Sequence, residues 1–265
     1  MKAQILNLEG EKTKEIELPK HFEEDIRPDL IKRAALSIQS KNRQPYGADP
    51  KAGQKYSSKL SRRRRDYKGS YGRGISRVPR KVMTRRGTQF NFVAATAPGT
   101  VGGRRAHPPK SNKNLILKIN KKEKKKAIRS AIAATINKEL LKEKGFSQLD
   151  ILPLILENKI EDVSKTKEIK QILEKLNLKK EIERTKAKTL RAGKGRKRGR
   201  KYKKKTGPLI VVSKDCKLMK SANNIQGFSI SQVKNLNTEL LAPGAKPGRM
   251  IIWSEGAIEK LRELF

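Results

Sequence analysis

Short apolar runs alternate with helical apolar stripes along most of the chain. AQILNL (3–8), DILPLILE (150–157), PLIVV (208–212) and RMIIW (249–253) have the length and apolar continuity of strands. Leu30, Ile31, Ala34, Ala35 and Ile38 fall on one helical face, with Pro28 near a first turn where its missing N–H costs nothing. Ile128, Ile132, Ile136 and Leu140 recur every four residues behind a lysine-rich start at 121–126. Ile169, Ile172, Leu173 and Leu176 make a third stripe. Ser229 with Gln232 predicts a capping box opening a fourth helix through Val233, Leu236 and Leu240. Ser254 is expected to cap a last helix carrying Ile258, Leu261 and Leu264. This alternation predicts an α/β fold, a three-layer domain with a mostly parallel sheet between helices. No internal repeat is visible.

Residues 41–113 break the rhythm. They hold nine Gly, six Pro and only nine Val, Ile, Leu, Met or Phe. Within them RGTQFNFVAATAPGTVGGRRAHPP (86–109) reads as neither helix nor strand, yet is too apolar in its middle for a solvated linker. So few core formers cannot offset an ordering entropy of roughly 1–2 kcal/mol per residue. A structureless insertion of this length inside a domain makes sense only if something outside the protein orders it. The expected organisation is one globular α/β domain from 1–40 and 114–265, interrupted by an extended internal arm at 41–113.

Charge identifies what that partner must be. Lys plus Arg is 65 against 26 acids, a formal charge of +39 over 265 residues. Residues 41–113 carry +18 and residues 184–205 carry +13 with no acid, which leaves only +8 for the other 170. The second stretch, 184–205, is expected to be a basic RNA-binding segment within the globular domain. Charge this concentrated implies a polyanion, with nucleic acid ahead of an anionic membrane surface. No apolar run approaches the ~18 residues of a membrane span. The N-terminus MKAQILNLEGE meets an acid too early for a secretory signal, and the lone Cys216 fits a reducing cytosol.

Residue types narrow the polyanion to RNA. All five tyrosines, Tyr46, Tyr56, Tyr67, Tyr71 and Tyr202, lie in the two basic segments, which suggests stacking on unpaired bases. Arginine forks pair with phosphates, and glycine admits close backbone approach. The candidate RNA-binding residues of the arm are Arg62, Arg63, Arg64, Arg65, Tyr67, Lys68, Tyr71, Arg73, Arg77, Arg80 and Lys81, followed by Arg104, Arg105 and His107. Those of the second segment are Arg191, Lys194, Arg196, Lys197, Arg198, Arg200, Lys201 and Tyr202.

Chemistry of other kinds finds no footing. Gly193, Gly195 and Gly199 are spaced one residue too long for a dinucleotide fingerprint, Arg77 stands where Gly72 and Gly74 would need a third glycine, and no phosphate-loop motif occurs. His21, His107 and Cys216 do not make a metal site of usual spacing. Cys216 reads as a small structural residue, and the acids at 23–25 and 161–168 read as solvated faces. No enzyme, metal or cofactor is expected. The alternative is an RNA-processing or RNA-modifying factor with basic extensions, which would need a catalytic constellation.

RAGKGRKRGRKYKKKTGPLIVV and LLAPGAKPGRMIIWSEGAIEKLRELF resemble the C-terminal half of the universal large-subunit ribosomal protein family numbered four, in its archaeal and eukaryotic branch. GSYGRGISRVPRK and GTVGGRRAHPPK resemble that family's long internal loop. The resemblance implies a structural constituent of the large subunit in the cytoplasmic ribosome, binding large-subunit rRNA early in assembly beside neighbouring ribosomal proteins. It also implies an arm whose tip lines the exit tunnel and meets the nascent polypeptide. By alignment the tip falls near 77–89, with Arg85, Arg86 and Gly87 at the constriction.

Overall fold

A computed structural model describes residues 1–67, 69–146 and 151–264. Two compact units emerge: residues 1–42 with 116–265, and residues 43–115.

In chain order the elements are β1 (Lys2–Leu6), β2 (Lys12–Glu17) and α1 (Pro28–Lys41), then β3 (Arg80–Arg86) and β4 (Gln89–Ala94). Next come α2 (Lys121–Ala133), α3 (Lys138–Glu143), β5 (Leu154–Leu156), α4 (Thr166–Lys175) and α5 (Lys179–Lys186). The basic stretch forms β6 (Lys188–Leu190), α6 (Lys194–Lys197) and β7 (Tyr202–Lys204). The chain closes with β8 (Leu209–Val212), α7 (Lys217–Ala222), β9 (Ser229–Gln232), α8 (Thr238–Leu241), β10 (Ile251–Ser254) and α9 (Glu255–Leu261).

The first unit is built on a six-stranded sheet of order β2-β1-β5-β10-β8-β9. Only the β1–β2 pair is antiparallel. Strands covered on both faces must be apolar throughout, and LIL, LIVV and IIWS are buried at every position. Their period of two sorts the side chains onto two cores. Leu6, Leu154, Leu156, Ile210, Val212 and Ile252 face a core completed by α4, α5 and α7. Ala3, Ile5, Ile155, Leu209, Val211, Ile251 and Trp253 face the other, filled by Ile31, Ile128, Ile132 and Ile258. Trp253 meets Phe22 edge-on at 5.6 Å, a geometry that adds about 1 kcal/mol to its burial. The fold is thus the three-layer α/β arrangement the apolar pattern predicts.

Local signals were met in part. Pro28 opens α1, and Ser254 accepts from the Ala257 N–H at 3.2 Å at the start of α9. The Ser229–Gln232 pair is no capping box: it is the edge strand β9, because parallel pairing with all of β8 overrides the local preference. Val233 opens a single 3₁₀ turn that the Leu236 N–H closes on the Val233 carbonyl at 3.1 Å, and α8 is capped by Asn237, which accepts from the Leu240 N–H at 2.9 Å. The stripe from Ile128 to Leu140 is also two helices, since Asn137 interrupts it and caps α3. Asp150, at the head of the DILPLILE run, lies outside the described residues. Among the acids read as solvated, Glu161 is buried. It accepts from the Ser213 N–H (2.7 Å), the Ser213 hydroxyl (2.9 Å) and the Ser254 hydroxyl (2.6 Å), tying together the carboxyl ends of β8 and β10.

The second unit has almost no core. Among its described residues Ala95 is the one buried apolar side chain. The 86–109 stretch is not free of strand, as its composition suggested. QFNFVA forms β4 against β3, joined by a two-residue turn at Gly87 and Thr88, with Gly87 at φ +57°. Phe90 and Phe92 alternate with exposed Asn91 and Val93, the period-two pattern of a one-sided strand.

Candidate nucleic-acid interface

The β3–β4 hairpin organises most of the inserted unit's chemistry. β3 supplies Arg80, Lys81, Arg85 and Arg86, and β4 carries no charge at all. A row of rings lies among these cations. Tyr67 meets Phe90 at 5.4 Å, and Phe90 meets Phe92 at 5.0 Å. Arg80 stands over Phe92 (5.2 Å), Arg73 over Phe90 (5.8 Å) and Arg85 over Tyr67 (5.9 Å). Beside this row Arg77 covers Tyr71 at 4.8 Å, and the Lys81 ammonium sits 3.7 Å from the Tyr56 ring. Each such pair contributes about 0.5–1 kcal/mol at exposed sites. Arg80 is held further by donating to the Ser76 carbonyl (3.0 Å) and hydroxyl (3.1 Å).

The other sequence-selected residues sit around this hairpin or apart from it. Arg62, Arg63, Arg64 and Arg65 are exposed in a bend, Arg65 with a left-handed φ of +59°. Arg85 and Arg86 end β3 and Gly87 opens the hairpin turn, with Arg85 Nε donating to the Gly87 carbonyl at 3.2 Å. Arg104 joins the loop after β4 by donating its N–H to the Thr96 carbonyl (3.3 Å), and Arg105 and His107 are exposed beyond it. Lys68 lies outside the described residues.

The second basic segment is a separate hairpin in the first unit. β6 and β7 pair Lys188 with Lys204 and Thr189 with Lys203, so two like charges stand directly opposite. Such a pair destabilises an isolated sheet and is relieved by a polyanion. Between the strands α6 carries Lys194, Arg196 and Lys197. The loop is closed by the Arg200 N–H to the Gly195 carbonyl (3.0 Å) and the Arg191 N–H to the Lys201 carbonyl (2.9 Å). Lys201 lies 5.5 Å from the Tyr202 ring, and Arg198 follows α6. Among the described residues no group of three or more His, Cys, Asp or Glu side chains could hold a metal ion, and no helix is long and apolar enough to cross a membrane.

A model of the ribosomal protein L4/L1 family matches residues 16–264, nearly the full length described above. The chain belongs to the ribosomal protein L4/L1 family. It is 50% identical over 264 residues to the large ribosomal subunit protein uL4 of Nanoarchaeum equitans, covering 99% of this chain and 98% of that one. The uL4 of Archaeoglobus fulgidus is 46% identical over 264 residues, with 99% of each chain covered. That of Methanosphaera stadtmanae is 44% identical over 267 residues, covering 100% of this chain and 97% of the relative. L4/L1 membership makes the chain a ribosomal structural component and not an enzyme.

Residue-by-residue reading missed Phe90 and Phe92, the middle of the ring row. Their signal was the alternation in QFNFVA, masked by the glycines and prolines that follow it. The stacking partners Tyr56–Lys81 and Tyr71–Arg77 were visible as residue types but not as pairs.

Proposed function

We propose that the chain, a structural constituent of the large subunit of the cytoplasmic ribosome, holds large-subunit rRNA through its inserted unit and its β6–β7 hairpin. The observation that carries this reading is the interleaved row of Arg73, Arg80 and Arg85 with Tyr67, Phe90 and Phe92, on a unit almost without a core. Cations answer phosphates and rings answer unpaired bases, and an unburied unit gains its order from the RNA it binds. The bend at Arg62–Arg65 and the segment from Arg191 to Tyr202 supply further phosphate contacts. In this reading the hairpin tip at Arg85, Arg86 and Gly87 is the part that borders the exit tunnel and meets the nascent polypeptide. Neighbouring ribosomal proteins pack on the first unit.

The experiment is a salt titration of the chain on large-subunit rRNA. Each neutralised phosphate adds about −0.7 to −0.9 to the slope of log affinity against log salt. Replacing Arg62, Arg63, Arg64 and Arg65 with Ala should make the slope shallower by about two to four units, with thermal unfolding of the first unit unchanged. An unaltered slope would remove that cluster from the RNA. Failure of the unaltered chain to sediment with the large subunit through a high-salt wash would sink the whole reading.

A further inference from the structure

The inserted unit contains a cavity of about 610 Å³, within the range of sites that hold small molecules. Its apolar floor is Pro108, Pro109 and Leu115, all half-buried. Two exposed rings, Tyr46 and His107, border it. Arg105, Lys110 and Lys113 also line it, and no acid does.

The walls come from two stretches some sixty residues apart in sequence, and the backbone fixes them against each other. The Ala48 N–H donates to the Pro109 carbonyl at 3.0 Å. A Cβ added to Gly47 would stand 2.7 Å from the Ser111 nitrogen, so only glycine lets the stretch bearing Tyr46 come this close. The Lys113 N–H closes a turn onto the Lys110 carbonyl at 3.1 Å, and the Pro108–Pro109 pair has both φ angles set by its rings. Asn112, also in the lining, has its side-chain oxygen turned to the Ser111 hydroxyl at 3.3 Å, which leaves its NH₂ group as a donor.

We propose that this cavity receives one unstacked nucleotide of ribosomal RNA, an inference that rests on the rRNA-binding reading above. The base lies on the proline floor between the Tyr46 and His107 rings, and Asn112 donates to an acceptor on its edge. Arg105, Lys110 and Lys113 take the flanking phosphates. An acidic peptide would also answer the three cations, but it would leave both rings and the floor uncovered. The nucleotide accounts for all three features.

The test uses whole large subunits carrying Tyr46→Ala, Tyr46→Phe or His107→Ala, probed with base-specific methylating reagents. Stacking on one aromatic side chain is worth about 1–3 kcal/mol, so losing Tyr46 should raise the reactivity of one or two adjacent nucleotides by ~5-fold or more. His107→Ala should expose the same nucleotides, and Tyr46→Phe should leave them protected. Identical profiles in subunits that contain the variant chain would overturn the proposal while leaving rRNA binding intact. Absence of the unaltered chain from the subunit would instead sink the broader reading. A benzophenone amino acid at position 46 covers the case where Tyr46→Ala is not incorporated. Its crosslink should fall on a nucleotide, and a crosslink to a protein would overturn the proposal.

Discussion

Arg249 donates its Nε–H to the carbonyl of Gly207 at 2.9 Å from a buried position. Its remaining donors reach the Leu240 carbonyl (2.8 Å), the Pro208 carbonyl (3.4 Å) and the Ser229 hydroxyl (2.9 Å), with no carboxylate among these partners. Burial pulls the guanidinium down to about 10, so it remains charged at neutral pH. A cation kept dry by neutral acceptors fixes the entries of β8, β9 and β10 to one another. Arg249→Ala should leave several buried carbonyls unpaired and cost about 3–5 kcal/mol, near the upper end for single substitutions. Arg249→Lys cannot span the same acceptors and should recover only part of that loss. Equilibrium denaturation of the chain measures both.

His21 gives the first unit an acid-sensitive point. Burial first, then the Arg129 charge, lower its imidazole below the ordinary 6.5, against an opposing hydrogen bond to the Leu264 backbone and the Glu24 carboxylate. Folding therefore favours the neutral ring. Its contribution is complete above pH 6.5 and is lost as pH falls through the lowered value. His21→Gln should show a smaller decline in melting temperature than the unaltered chain between pH 7 and pH 5. Parallel declines would mean that His21 titrates as it does in the unfolded chain.

Much of the sheet could be read from residues alone, and the reason is burial on two sides. LIVV and IIWS have no polar position before Ser254, and only a covered parallel strand looks like that. β2, KTKEIE, left no comparable trace because it is an edge strand exposed at nearly every position. The Ser229–Gln232 spacing suits a helix cap and a strand equally, and pairing with β8 decided between them. In the inserted unit the cations were legible as charge, since charge needs no geometry. The ring row needed a register, and the Tyr46 cavity needed two distant stretches of chain side by side, which no local pattern encodes.

The proposed function divides anchoring from tunnel lining, and the tip of the β3–β4 hairpin is where the division can be tested. Arg85 Nε is already committed to the Gly87 carbonyl, while most of the cations lie elsewhere: in the Arg62–Arg65 bend, along Arg73–Lys81 and between Arg191 and Lys205. Replacing Arg85–Gln89 with a shorter turn should therefore spare incorporation into the large subunit. The expected phenotype is a changed response to tunnel-binding drugs and stalling peptides in the assembled subunit. Loss of incorporation would show that the turn anchors the chain.

Free chain should differ from bound chain mainly in the inserted unit. One buried apolar side chain, Ala95, cannot offset the entropy of ordering some seventy residues, whereas the first unit packs two apolar clusters on its sheet. The hairpin β3–β4 is held by backbone pairing and ring stacking, and a two-stranded ribbon is marginal in water. Brief trypsin treatment should cut first within 59–86 and 191–205, where Lys and Arg are dense and exposed. After the first cut in the insertion the fragments should stay associated and unfold cooperatively, because residues 1–42 and 116–265 share one sheet. Bound to the large subunit, the same sites should resist cleavage. Early cutting spread over all 65 basic residues would show that the first unit does not fold alone. Equal cutting with and without RNA would show that the insertion is not where the RNA binds.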